Sequence, residues 1–71
     1  MKPEEWIAEF AAAIGAEAPD QATVDELLKL AAIAAHASER PAAPIACYLA
    51  GLSGRPLAEL KDLADGVAPG D

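Results

Sequence analysis

The chain has 71 residues and a net charge of −7, which results from five Lys or Arg and twelve Asp or Glu residues. Nucleic acids and anionic membranes repel such a surface, because affinity for phosphate groups comes mainly from Lys and Arg. A neutral or basic protein is the better match. A chain of this length forms one domain and buries only about 60% of its unfolded surface, so a partner subunit would add stability.

The N-terminal segment MKPEEWIAEF has three Glu residues where a signal peptide would have an apolar region. No apolar run approaches the length of a transmembrane span. The single Cys leaves no partner for an internal disulfide. We therefore expect a cytoplasmic protein with a single helical domain over residues 1–71, in which about 66–71 form a frayed tail.

The first predicted helix runs from about Pro3 to Ile14. Pro3 suits the first helical turn, where its missing N–H is not needed, and Gly15 is a good stop signal. Apolar side chains recur at helical spacing and form one stripe, made of Trp6, Ile7, Phe10, Ala13 and Ile14. Because Trp is enriched at binding hot spots, we expect Trp6 to anchor either the core or an interface.

The second predicted helix begins at Asp20 or at Thr23. Thr23 and Glu26 have the spacing of a capping box, whereas Asp20 as the cap would lengthen the helix by about three residues. The apolar residues of this helix cover almost its whole circumference. Asp25 and Lys29 have the i,i+4 spacing of an ion pair. A helix this apolar is usually the central one, with neighbours on several sides.

Two prolines interrupt the helical pattern after this point. Pro41 disfavours the helical conformation at Arg40, and Pro44 fits best at the start of a third helix. That helix is predicted over about Pro44 to Leu52, and Gly51 inside it would be explained by a close helix crossing. Its apolar face consists of Ile45, Tyr48, Leu49 and Leu52.

A fourth helix is predicted from Pro56 to about Asp65, with Leu57, Leu60, Leu63 and Ala64 facing inward. No stretch shows the strict alternation of a half-buried strand. The predicted fold class is therefore all-α, a compact domain of four helices or of three long helices plus a short one.

The candidate binding site is the proline corner, which consists of His36, Arg40, Pro41, Pro44 and Tyr48. His36 and Arg40 are four residues apart and share a helix face if the helix continues that far, so an anion or a partner could contact both. The alternative is structural, because cations are favoured at helix C-termini. Tyr48 is expected to donate a hydrogen bond across the corner.

Other chemistry finds little support in this sequence. One His and one Cys cannot supply the four ligands of a structural zinc site, and Cys47 is expected to be a buried, small apolar residue. The segment GLSGRP lacks the pattern of a phosphate-binding loop. No pair of carboxylates has the setting of a general acid and base. We therefore expect no enzyme activity, no metal and no cofactor.

The segments LLKLAAIAAHASERPAAP and YLAGLSG, together with Trp6, resemble a family of short actinobacterial domains of unknown function. The specific part of this resemblance is His36 with the segment RPAAP. Such domains occur alone or fused behind nucleotidyltransferase domains of the type that attaches GMP to molybdopterin. The resemblance implies a role near molybdenum cofactor assembly. It implies no transferase activity, because the glycine-rich and lysine motifs of the transferase are absent here.

Three functions remain open from the sequence. The first is a helical interaction module that docks on a molybdenum cofactor guanylyltransferase or a molybdoenzyme, through the acidic surface and the proline corner. The second is a domain in which His36 and Arg40 bind a small anion such as phosphate or a nucleotide. The third is a homodimeric structural module.

Overall fold

The computed structural model describes residues 1–67, and these form four α-helices and no strand. The helices are α1 (Pro3–Ile14), α2 (Gln21–Ala37), α3 (Ala42–Ser53) and α4 (Leu57–Asp65). The predicted all-α, four-helix class is thereby confirmed. Gly66 and Val67 donate backbone hydrogen bonds of 3.1 Å to the last turn of α4. The rest of the predicted frayed tail, residues 68–71, lies outside the described residues.

The predicted limits of α1 are confirmed. Pro3 occupies the first turn, and Gly15 follows the helix in the left-handed conformation, with φ of 76°. Its N–H reaches the carbonyls of the last turn, and the N–H of Ala16 bonds to the carbonyl of Ala11 at 2.8 Å. Glycine adopts this conformation without a steric cost, so α1 ends here.

Asp20, and not Thr23, caps α2. The Asp20 carboxylate accepts a hydrogen bond of 2.8 Å from the backbone N–H of Thr23. Hydrogen bonding from Thr23, through its side chain first and its backbone N–H second, lowers the pKa of Asp20 below its usual value, because it favours the charged form. The expected ion pair between Asp25 and Lys29 is wrong. Lys29 lies 3.4 Å from Glu26 instead, and Asp25 accepts a hydrogen bond from Gln21.

The turn between α2 and α3 is shorter than predicted, because α3 begins at Ala42, two residues before Pro44. Pro44 is still compatible with the helix, since the first four N–H groups of a helix have no intrahelical acceptor. Backbone hydrogen bonds from Ala42 to Glu39 and from Ala43 to Arg40 close the turn. At the other end, Gly54 has φ of 67° and the Ser53 hydroxyl accepts a bond from the N–H of Arg55.

Helix α2 is central, as predicted, and packs against both α3 and α4. Among the described residues, only Ala11, Leu30 and Ala50 are buried, and Leu30 of α2 is the one large side chain of this core. Lys61 of α4 forms an ion pair with Glu26 of α2, which joins these two helices at the surface. Helix α1 makes few contacts with the rest of the domain.

Helix α3 packs with its small side chains, and this orientation was not predicted. Ala50 is buried, and Ala46 and Cys47 are half-buried. The large residues, which the spacing assigned to one apolar face, are exposed instead: Ile45, Tyr48, Leu49 and Leu52. Small side chains let the helix backbones approach closely, so the small side of α3 packs against α2 and its large side chains stay more than half exposed.

Candidate functional site

The proline corner lies at the surface, where α2 ends and α3 begins. His36 is in the last turn of α2, and Arg40 lies in the turn that follows. Both side chains are exposed, and within residues 1–67 neither forms a hydrogen bond or an ion pair. Pro41 and Pro44 are exposed as well. The corner therefore offers one guanidinium and one imidazole to solvent.

Tyr48 lies one helical turn after Pro44, on the exposed side of α3. Its side chain is 64% exposed on the outer side of α3, and its hydroxyl has no hydrogen-bond partner among residues 1–67. The expected bond across the corner is therefore not formed. His36 lines a shallow hollow together with Asp65 and Val67.

Cys47 is a free, half-buried thiol on α3. This burial agrees with the expected role of a small apolar residue. Within residues 1–67, no three His, Cys, Asp or Glu side chains are grouped as a metal site. In the same part of the chain, no helix combines the length and apolarity that a membrane span needs.

The outward side of α1 carries two exposed aromatic rings. Trp6 and Phe10 are stacked, with ring centroids 5.2 Å apart and an interplanar angle of 19°. Trp6 is 57% exposed and Phe10 is 50% exposed, although aromatic side chains gain most from complete burial. We call this surface the α1 face and define it by Trp6, Phe10 and Ile14, with Glu5 and Glu9 on the same helix. It combines an uncovered apolar stripe with nearby carboxylates.

A second uncovered apolar surface lies on α3. We call it the α3 face and define it by Ile45, Tyr48, Leu49 and Leu52, each of which is more than half exposed. The whole helix, AAPIACYLAGLS, contains no charged residue. A helix that is apolar on all sides is normally buried on all sides, so the outer side of α3 lacks the cover that its sequence favours.

The α3 face continues into a groove between α3 and α4. The groove has a volume of about 520 Å³, and its floor is formed by the C-terminal half of α2. Its walls are apolar except for Ser38, and they include Ile45 and Leu49 of α3 and Ala64 and Val67 at the end of α4. Grooves of this kind between helices take the apolar side of another helix.

The sequence matches the model of one family, described as a domain of unknown function, DUF6457, over residues 2–68. The chain belongs to the DUF6457 family. No curated protein and no solved structure matches it. The expected resemblance to a family of unknown function is thereby confirmed at that level. The link to a nucleotidyltransferase stays a prediction.

The exposed surface of this DUF6457 domain is large for its mass. It amounts to 5434 Å² for a chain of 7.2 kDa, whereas a compact monomer of that mass exposes about 4,100 Å². This difference of about 1,300 Å² is a total for the whole chain, to which the loosely attached α1 contributes, and it is not assigned to one surface.

Sequence reasoning missed the α3 face, although the signal for it was present. The spacing of Ile45, Tyr48, Leu49 and Leu52 identified an apolar face correctly, but this face was assigned to the core. The run of small residues on the opposite side could have supported the other orientation, because α3 of the DUF6457 domain buries Ala50 and leaves Leu52 at 65% exposure. Both orientations have the same helical spacing, so the pattern alone did not distinguish them.

Proposed function

We propose that this domain is a non-enzymatic interaction module that binds a basic protein partner through the α1 face. The observation that carries this proposal is the exposed, stacked pair of Trp6 and Phe10 on a helix that also bears three carboxylates. Trp is enriched at the energetic centres of interfaces, where it fills a pocket on the partner.

The charge of α1 supports a partner of basic character. Glu4, Glu5 and Glu9 lie on this helix, and within residues 1–67 none of them is in an ion pair. A cationic surface around an apolar pocket would satisfy Glu5 and Glu9 of the α1 face and speed the encounter with a protein of net charge −7. Because such pairs are screened, binding at the α1 face should weaken as salt is added.

The resemblance of the proline-corner segments to domains fused behind nucleotidyltransferases supports a partner in molybdenum cofactor assembly. Within this proposal, the partner is a molybdenum cofactor guanylyltransferase or the molybdoenzyme that it serves. Binding of a small anion at His36 and Arg40 is less favoured, because Asp65 lines the same hollow as His36 and Glu39 is adjacent to Arg40 in sequence. These carboxylates oppose an anionic ligand.

Trp6 is the only Trp in the chain, so its fluorescence reports directly on the α1 face. We would titrate the full chain with a purified guanylyltransferase domain from the same organism. The Trp residues of that domain would be replaced, so that only Trp6 contributes to the emission. The expected result is a blue shift of the Trp6 emission that saturates. Phe10→Ala should weaken this binding about tenfold, because it removes half of the stacked anchor.

The matched control is Leu28→Ala, which removes a large side chain that is 63% exposed on α2, outside both faces. This variant should bind as tightly as the unmodified chain. An emission that does not change at any partner concentration would contradict the guanylyltransferase as partner. An affinity that Phe10→Ala and Leu28→Ala reduce equally would contradict the α1 face as the binding surface.

A further inference from the structure

We propose that the α3 face is covered by the α3 face of a second copy of this chain, so that the domain is a two-fold symmetric dimer. This interface is separate from the α1 face, and it goes beyond the proposed binding of a basic partner. In a two-fold dimer the same surface is used on both copies, so it must be complementary to itself. The α3 face meets this condition because it is apolar and carries no charge.

The distribution of charge distinguishes the occupants of the two faces. A chain of net charge −7 repels its own copy, and two α1 faces would bring Glu5 and Glu9 of one copy close to those of the other. On α3 there is no charge over residues 42–53, so two copies can meet there without placing carboxylates in contact. A basic partner would find no carboxylate to pair with on α3, whereas α1 offers Glu5 and Glu9.

The length of α3 and the groove beside it support a dimer interface along this helix. Helix α3 has 12 residues and is therefore about 18 Å long, enough for two antiparallel copies to pack over three turns. The adjoining groove, which Ile45 and Leu49 also line, extends the apolar surface beyond the helix.

The size of the effect follows from the side chains that the dimer would bury. Leu52 is 65% exposed in the single chain, and covering it in both copies removes two leucine side chains from water. Leu52→Glu places a carboxylate from each copy against the apolar α3 residues of the other copy. The dissociation constant of the dimer should therefore rise about 100-fold or more.

The experiment is sedimentation equilibrium of the full chain over a wide range of concentrations, with circular dichroism as a check of folding. The unmodified chain should be dimeric, and Leu52→Glu should be monomeric with the same helix content. Leu28→Glu is the matched control, since it places the same charge at a similarly exposed leucine of α2 and should leave the dimer intact. Should Leu52→Glu not fold, Tyr48→Glu replaces it in the comparison.

Salt gives an independent readout. Because the two copies have like net charges, salt should tighten the dimer, whereas it should weaken the binding of a basic partner at the α1 face. A chain that is monomeric at all concentrations overturns the proposal and leaves the α1-face titration unaffected. The proposal is also overturned by a dimer that Leu52→Glu and Leu28→Glu weaken equally, or by a dimer that Phe10→Ala disrupts and Leu52→Glu does not.

Discussion

Three glycines allow a test in which the same substitution has opposite effects. Gly15, Gly51 and Gly54 all have open space where a Cβ would lie, since within residues 1–67 no atom beyond the chain neighbours and the local helix backbone is within 4 Å. Their backbones differ, because Gly15 and Gly54 have φ of 76° and 67°, whereas Gly51 has a negative φ inside α3. The effect of Ala at each position therefore depends on the backbone and not on crowding.

Gly51→Ala should raise the free energy of unfolding by about 1 kcal/mol, because Ala is better than Gly by that amount inside a helix. For a domain of this length, such a change raises Tm by about 4–8 °C. Gly15→Ala and Gly54→Ala should lower the free energy of unfolding by about 1 kcal/mol, since a side chain in the left-handed region is strained.

The assay is thermal and urea unfolding followed by circular dichroism, at a protein concentration low enough to keep the chain monomeric. The predicted close helix crossing at Gly51 is wrong for the single chain, because no neighbour approaches this residue. A destabilised Gly51→Ala monomer would show that a backbone does approach it, and the packing of α3 derived above would then be refuted. Equal effects at all three glycines would refute the dependence on φ.

The remaining predictions concern the core, the carboxylates and the corner. Leu30→Ala should lower the free energy of unfolding, measured in urea, by about 2–3 kcal/mol. This is the low end for a buried leucine, because the surrounding core is small. A loss below about 1 kcal/mol would show that Leu30 is not central to the core. Hydrogen bonding from Lys61 holds the pKa of Glu26 below its usual value. Lys61→Met should therefore raise the pKa of Glu26, measured by NMR titration. An unchanged pKa would contradict the ion pair between Lys61 and Glu26. The pKa of Asp20 is also lowered, so the folded chain binds fewer protons than the unfolded chain in acid. Stability should therefore be fully present above about pH 4 and decline as the pH falls further, and this decline should be smaller for Asp20→Asn. Arg40→Ala should change the free energy of unfolding by less than about 0.5 kcal/mol. The reason is that the Arg40 side chain is exposed and in no ion pair within residues 1–67. A larger loss would indicate that Arg40 has a structural role at the end of α2.

The helices themselves could be predicted because their limits are set by local chemistry. Pro3 and Gly15 delimit α1 through a missing donor and a left-handed backbone, and both effects act within a few residues. The sequence limited the N-terminal cap of α2 to Asp20 or Thr23. The structure identifies Asp20 as the cap, because its carboxylate accepts a hydrogen bond of 2.8 Å from the N–H of Thr23. The proline corner was placed correctly between two helices, but the hydrogen bond expected of Tyr48 is not formed among residues 1–67.

The sequence by itself determined the helical class, the number of helices and the presence of apolar faces on α1 and α3, since propensity, capping and spacing are properties of neighbouring residues. Only the tertiary structure decided which side of each helix is covered. On α3, the small side of Ala46 and Ala50 competes with the large side of Leu49 and Leu52 for contact with α2. The small side packs against α2, because the backbones of α2 and α3 can then approach closely. This packing leaves the larger apolar side uncovered.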